Sequence, residues 1–264
     1  MATTTNRFFW YELMTSDHEA AQAFYAKVVG WTMKSFPANG HPYSVLEIEG
    51  GRGIGGIMPI PAEAAAHGMK PRWVGYVHVD DLDAAVERLK GAGGVVHMLL
   101  DPIPEVGRIA VVSDPQGTTF NLLQPDGPEA PPLPMGTKGG VEWHELHARD
   151  GEAALGFYAV LYGWSGTGEM DMGPMGKYRF FAMEPAVDGA ECGTTCGAMY
   201  NDAKAPHPYW LFYFRTDAID AAIERIKANG GNVTQGPQEV PGGLWIANAI
   251  DPQGAEFALV APTR

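Results

Sequence analysis

Two glutamates, Glu12 and Glu145, each stand two residues after a tryptophan, in the stretches WYEL and WHEL. A carboxylate beside a large aromatic ring can accept a hydrogen bond from a polar ligand, or take a proton from it. Strand side chains alternate between two faces, so residue parity tells which neighbours share a surface. In FWYELMTS the face of Glu12 also carries Trp10, Met14 and Ser16, and the other face carries Phe9, Tyr11, Leu13 and Thr15. In VEWHELHA the face of Glu145 also carries Trp143 and His147. In WVGYVHVD, Trp73, Gly75, Val77 and Val79 form an apolar stripe and leave Val74, Tyr76 and His78 opposite. In YWLFYFRT, Trp210, Phe212, Phe214 and Thr216 leave Leu211, Tyr213 and Arg215 opposite. Four apolar stripes are expected to meet helices, and four opposite faces with polar residues to form a concave ligand surface.

Glu12, His78, Glu145 and His147 are the candidate acid–base residues. Trp10, Tyr76, Asn121, Trp143, Tyr213 and Arg215 are the candidate ligand-binding residues. A buried glutamate without a partner would be protonated or costly, so His78 or Arg215 is expected nearby. Glu12 carries the stronger expectation, because Asn121 and His78 add polar groups to its half. The structural alternative is that a Glu–His or Glu–Arg pair merely satisfies a sheet surface, and that each tryptophan is core.

The elements that position these residues are written twice. WYELMTSDHEAAQAFYAKVVGW, 10–31, matches WHELHARDGEAALGFYAVLYGW, 143–164, at a constant offset of 133. LDAAVERLKGAGG, 82–94, matches IDAAIERIKANGG, 219–231, and DPQG, 114–117, matches DPQG, 251–254, both at 137. The second half therefore carries a net insertion of four residues, in the region of 170–197. Within each half a fainter repeat joins DHEAAQAFY to DLDAAVERL. The chain reads as four modules. In each, a short strand leads to an acid that can cap a helix of about 12 residues, Gly-Trp or Gly-Gly ends that helix, and two or three strands follow. The expected fold class is α+β, four βαβββ modules in two tandem domains, 1–126 and 140–264. Their linker, 127–139, lies in the Pro- and Gly-rich stretch QPDGPEAPPLPMGTKGG.

A chain of 264 residues is long enough for two such domains, each with a core of its own. The formal net charge of −13 repels phosphate backbones, so nucleic acid is not an expected partner. No apolar run approaches the roughly 20 residues that span a bilayer, and the N-terminus lacks a secretory apolar stretch. A cytoplasmic protein with no membrane partner is expected. The two cysteines, Cys192 and Cys196, form a lone C-x3-C with no second ligand pair beside it. They read as small residues in a turn or strand end.

The D-x-x-x-A-x-x-FY-x-x-x-x-GW motif, the ending SDPQGTTFNLLQP and the four modules resemble the vicinal oxygen chelate superfamily. That superfamily includes glyoxalase I, bleomycin-resistance proteins, fosfomycin-modifying enzymes and extradiol dioxygenases. More closely, the chain resembles tandem glyoxalase-like proteins whose halves both open with Trp-x-Glu-Leu, over about 8–125 and 141–262. The resemblance implies the fold and leaves the reaction open. Metal-dependent members place ligands at positions that here hold Trp10, Val74 and Asn121 in the first half, and Trp143, Leu211 and Ala258 in the second. None is a histidine or a carboxylate. The leading expectation is a protein, with no metal or other cofactor, that binds and can transform a small carbonyl-bearing or aromatic metabolite in two pseudo-equivalent pockets. Two alternatives stand beside it: a divalent-metal lyase or dioxygenase with a shifted ligand set, and a non-catalytic binding or sequestration protein. The tandem duplication supplies both units in one chain, so a monomer suffices and a homodimer is optional.

A metal triad missing twice has a measurable consequence. The purified protein should hold well under one equivalent of Zn, Ni, Fe or Mn per half by elemental analysis, and its melting temperature should not move with EDTA. A tightly held metal would stabilise the fold by several kcal/mol through mass action, so its removal would be visible.

Overall fold

The computed structural model describes residues 5–36, 42–127, 131–183 and 194–264. Cys192 and part of the linker, 128–130, lie outside the described residues. The chain folds as the repeat demands. The first module contains β1 (Phe8–Thr15), α1 (His18–Val28), β2 (Thr32–Ser35), β3 (Ser44–Glu47) and β4 (Gly53–Pro59), followed by the short α2 (Ala62–Ala66). The second contains β5 (Arg72–His78), α3 (Leu82–Gly91), β6 (Val95–Leu99), β7 (Gly107–Ser113) and β8 (Thr119–Pro125). The third contains β9 (Val141–Ala148), α4 (Gly151–Tyr162), β10 (Ser165–Asp171), β11 (Lys177–Ala182) and β12 (Gly197–Asn201). The fourth contains β13 (Tyr209–Arg215), α5 (Ile219–Ala228), β14 (Asn232–Val240), β15 (Leu244–Ile250) and β16 (Glu256–Ala261). Two eight-stranded sheets result, β2-β3-β4-β1-β5-β8-β7-β6 and β10-β11-β12-β9-β13-β16-β15-β14. The α+β class and the four βαβββ modules are as the sequence leads one to expect.

Local signals explain the helices. Asp17, Asp81 and Asp150 are N-caps in extended conformation, and each accepts from the amide three residues on, at 3.0–3.1 Å. The helix of the fourth module, α5, differs. Its N-cap is Ala218, without a side-chain cap, and the preceding Asp217 instead pairs with Lys138. At the other end of α4, Gly163 takes a left-handed φ of 72°, which stops the helix and turns the chain toward Trp164.

The chain divides into two compact units. One comprises residues 1–9, 75–132 and 143–210, and the other comprises 10–74, 133–142 and 211–264. Each unit thus joins a module of one half to a module of the other: the second with the third, and the first with the fourth. The repeated motifs supply the joints. In the second unit the hydroxyl of Tyr25, on α1, accepts from Trp73 Nε1 at 3.0 Å and donates to Asp251 Oδ2 at 3.1 Å. In the first unit Tyr158, on α4, accepts from Trp210 Nε1 at 3.2 Å and donates to Asp114 Oδ2 at 3.4 Å. The aspartates are those of the two DPQG turns, and their other oxygens are held by backbone amides of the same turns. Trp31 and Trp164, the tryptophans of the two Gly-Trp pairs, donate to the carbonyls of Gly139 and Asn6. Aromatic rings fill the space around each joint. Trp31 meets Phe214 at 4.9 Å, and Trp164 stacks on Tyr158 at 4.9 Å and on Phe181 at 5.1 Å.

Tyr25→Phe and Tyr158→Phe should each keep the ring yet strand a buried indole N–H and a buried carboxylate oxygen, at a cost of about 2–4 kcal/mol in urea denaturation. Asp81→Ala, which removes only an exposed cap, should cost about 1 kcal/mol.

Candidate functional site

The parallel pairing of β9 with β12 sets the second-half site. Ala198 lies opposite Glu145 and Tyr200 opposite His147. Alternation then puts Trp143, Glu145 and His147 on one face. Glu145 and His147 are 8% and 6% exposed, so their charges are largely out of water. Partners surround them. Trp143 Nε1 donates to the hydroxyl of Tyr178 at 3.0 Å, and that hydroxyl donates to Glu145 Oε2. Glu145 Oε1 lies 3.1 Å from His147 Nε2. The approach is an ion-pair contact rather than an aligned hydrogen bond, since Nε2 is buried without one. On the far side, His147 Nδ1 lies 2.9 Å from Asp202 Oδ2 and 2.8 Å from the Tyr200 hydroxyl. The Tyr209 ring stacks on the imidazole at 4.3 Å and 14°.

This arrangement determines where the protons sit. Burial pushes the Tyr178 phenol well above its ordinary range, and the Glu145 charge pushes it further, so Tyr178 stays a donor. Burial and the nearby Glu145 and Asp202 charges raise Tyr200 likewise. Burial disfavours the imidazolium of His147, but Glu145 and Asp202 outweigh it and hold the ring above its usual range. Burial also works against the charge of Asp202, yet the His147 hydrogen bond and two backbone amides keep it below the usual carboxylate range. The result is a histidine clasped between two carboxylates that favour its protonated form.

The first half keeps only part of this. Trp10 Nε1 donates to the Tyr43 hydroxyl at 3.0 Å, and Tyr43 is hydrogen-bonded to Glu12, which is 6% exposed. Burial first, and then the Glu12 charge, raise Tyr43 well above its ordinary range. Gly56, on β4, lies opposite Glu12, and a Cβ there would lie 2.1 Å from the Tyr43 hydroxyl. The Trp–Tyr–Glu chain is thus common to both halves. The histidine is not, because Met14 holds the place of His147 at the offset of 133.

The other candidates sit as follows. Tyr76 is directly opposite Asn121, and both are 5% exposed. His78 is buried, 5.3 Å from the Phe9 ring and 3.9 Å from Asp80. Tyr213 is opposite Ala258 and 3% exposed. Arg215 is gripped by both oxygens of Glu142 at 2.8 Å. Glu142 is a residue that strict alternation assigns to the opposite face; Arg215 is the last residue of its strand, where alternation no longer dictates direction. His144 stacks on Phe8 at 5.5 Å and donates from Nδ1 to the Cys196 carbonyl at 3.0 Å, and burial lowers it to about 4, so it is a neutral core histidine. The Cys196 thiol is pushed up to about 11 by burial and is unreactive at neutral pH.

Sequence reasoning missed Tyr43, Tyr178, Tyr200, Asp202 and Tyr209. The two hydroxyl relays had a faint signal: Tyr43 and Tyr178 are 135 apart, between the offsets of 133 and 137. Asp202 had none, since it follows the inserted region.

The positions that the resemblance assigns to metal ligands do not fit a metal. Val74, Leu211 and Ala258 are buried and bear no donor atom. The indole nitrogens of Trp10 and Trp143 spend their only hydrogen on a tyrosine and have no lone pair to give. Asn121 alone offers an oxygen, and a divalent site needs about three donors.

Comparison with known proteins agrees with the fold. The model of the Glyoxalase/Bleomycin resistance protein/Dioxygenase superfamily matches residues 7–122 and 140–259. The chain is 32% identical over 255 residues to a Mycobacterium tuberculosis protein named "Putative glyoxylase CFP32", covering 96% of this chain and 94% of that one. It is 29% identical over 263 residues to the anthracycline biosynthesis protein DauV of Streptomyces sp. (strain C5), covering 95% and 91%. Among solved structures, the Mn(II)-bound glyoxalase from Novosphingobium aromaticivorans superposes with a TM-score of 0.66 at 15% identity, over 99% of this chain and 83% of that one. The 2,3-dioxygenase LapB from Pseudomonas sp. KL28 gives 0.64 at 13%, over 99% and 93%. At such identities the solved structures speak for the fold alone.

The clasped histidine makes a pH prediction. A raised His147 stabilises the fold below its unfolded pKa of about 6.5 and loses that effect as pH rises through its folded value. A lowered Asp202 stabilises it above about 3.9 and loses that effect as pH falls through its folded value. Asp202→Asn should therefore cost about 1.5–3 kcal/mol between roughly pH 4 and 6.5 and clearly less at pH 9. Urea denaturation across pH, with NMR titration of the His147 ring falling to lower pH in the variant, checks both signs.

Proposed function

The chain belongs to the glyoxalase/bleomycin resistance protein/dioxygenase superfamily, and from that premise we propose that its second half moves a proton on a small carbonyl-bearing or aromatic metabolite, with no metal ligand taking part. The observation that carries this reading is the placement of Glu145 between a tyrosine donor and a histidine that is itself backed by Asp202. A general base must be held still and remain ionised in a largely dry site. Tyr178 and His147 hold it in place: the phenol donates to one oxygen, and the His147 ring lies against the other. Glu145 takes the proton from the carbon next to the carbonyl, leaving an enolate whose charge the neighbouring donors offset. Return of the proton to the same carbon regenerates the ketone. Trp143 contributes an apolar wall. The reading has the protein act in the cytoplasm, as a monomer or homodimer, on a small molecule; no helix among the described residues is long and apolar enough to cross a membrane.

A second reading applies to the first half. Met14 in place of His147 leaves Glu12 and Tyr43 without an imidazolium from that strand, so this half binds a similar molecule without turning it over.

Both readings are tested by one experiment. α-Hydroxyacetophenone, which joins an aromatic ring, a carbonyl and an exchangeable methylene, is incubated with the protein in deuterated water, and loss of the methylene signal is followed by proton NMR. The intact protein should speed exchange over buffer. Glu145→Gln should slow that exchange by roughly 100-fold or more, the ordinary contribution of a general base. Glu12→Gln should leave the exchange rate nearly unchanged while weakening one binding site about tenfold, as loss of a charge-assisted hydrogen bond implies. Equal exchange in Glu145→Gln and the intact protein would remove the proton-transfer role.

A further inference from the structure

One rung of the sheet in each half carries a side-chain amide whose oxygen is buried with no hydrogen-bond partner among the described residues. These are Asn121 Oδ1 and Asn248 Oδ1. In the first half, Tyr76 on β5 lies opposite Asn121 on β8, which lies opposite Val111 on β7. In the second half, Tyr213 on β13 lies opposite Ala258 on β16, which lies opposite Asn248 on β15. The rungs are the same rung. Tyr76 and Tyr213, Asn121 and Ala258, and Val111 and Asn248 are each 137 positions apart, the offset of the late repeat. The amide has therefore changed strand between the halves but has not left the rung. One strand spacing, about 4.8 Å, separates the two placements.

The face is defined too. The flanking residues Phe120 and Leu122 are 0% exposed, and their counterparts Phe257 and Leu259 are 1% and 0%, so these point into the core. Alternation sends Asn121 and Asn248 to the other side, the face that also carries Tyr76 and Tyr213. A buried carbonyl oxygen that accepts nothing costs free energy unless something arrives to donate to it. An apolar residue would avoid that cost, and the repeat supplies one at each place: Val111 where the other half has Asn248, and Ala258 where the other half has Asn121. A local rule broken once in each half, at equivalent rungs, is the pattern expected of a functional position.

We propose that Asn121 and Asn248 are equivalent ligand-anchoring residues, each accepting a hydrogen bond from a hydroxyl of a bound small molecule. The geometry of an amide narrows the class. Its oxygen needs a donor and its NH2 offers one, so an amide is complementary to a hydroxyl and a carbonyl on adjacent carbons. The ligand is thus an α-hydroxycarbonyl compound, an assignment that rests on the carbonyl reading above and specifies it.

The test uses the full chain and two probes, α-hydroxyacetophenone and its α-methoxy twin, which differ in the one donor hydrogen. Calorimetry on the intact protein should show at least a tenfold preference for the hydroxyl compound. Asn121→Ala and Asn248→Val, each copying the residue of the other half, should each weaken one of the two sites by tenfold or more. Both should melt at or above the intact protein, because an unsatisfied oxygen has been removed. Asn248→Val combined with Ala258→Asn, which moves the amide back along the rung, should restore the preference. Absent or equal binding of the two probes, unaltered affinity in the single variants, failure of the rung exchange to restore it, or a lower melting temperature would each overturn the proposal, the last by making the amides structural. Proton exchange separates this from the broader reading. Hydroxyl preference that depends on the asparagines without Glu145-dependent exchange keeps the amide assignment and sinks proton transfer; exchange without such preference does the reverse.

Discussion

A buried tyrosine hydroxyl that both receives and gives a hydrogen bond governs the architecture of each compact unit. Tyr25 joins α1 to Trp73 and to the turn at Asp251, and Tyr158 joins α4 to Trp210 and to the turn at Asp114. Neither end can shift by a residue without stranding an indole N–H or a carboxylate in a dry interior, which is costly. Burial pushes both aspartates above the usual carboxylate range, and backbone amides of the turn pull the other way. The turn is therefore a partner already organised for the tyrosine. Once the helix is locked in rotation and register, the strands beneath it present their alternate residues to the other face. Everything said of Glu12, Glu145 and the amide rungs depends on that.

Much of this was legible in the sequence, for physical reasons that can be located. Phe-Tyr, Gly-Trp and DPQG recur at fixed offsets, and each contributes a residue to the joint of its unit, so a pattern read as a family signature is also a packing specification. Parity placed Trp143, Glu145 and His147 on one face because β9 is a regular strand, in unbroken parallel register with β12 from His144 to Ala148. The partners of the glutamates were not legible. Tyr43 precedes β3 and Tyr178 is the second residue of β11, and their spacing of 135 matches neither repeat offset, so the signal for them was faint. Asp202 and Tyr200 reach His147 from beyond an insertion. Arg215 turned to Glu142 at the end of its strand, where pleating no longer dictates direction.

The two halves show what duplication conserves and what it releases. The Trp–Tyr–Glu chain is present in both, with the tyrosine acting as acceptor for one neighbour and donor to the other. His147, Tyr200, Asp202 and Tyr209 gather in one half only. A neutral Met14 in the other half avoids the desolvation of a cation, and with it the need for a second carboxylate. Charge, once admitted to a buried sheet face, brings its own retinue of counter-charges; its absence simplifies the neighbourhood.

The exchange of modules between halves carries a further consequence. Because each unit draws one module from each half, a half expressed by itself owns one side of two different cores and closes neither. Two copies of a half could complete each other, but only at the rate and to the extent that concentration permits. Linking the halves makes the partner's effective concentration a property of the chain, set by the reach of the intervening segment rather than by abundance in the cell. Gene duplication has in this sense converted an assembly equilibrium into a folding step, and has freed the two halves to differ, since neither needs to match a copy of itself.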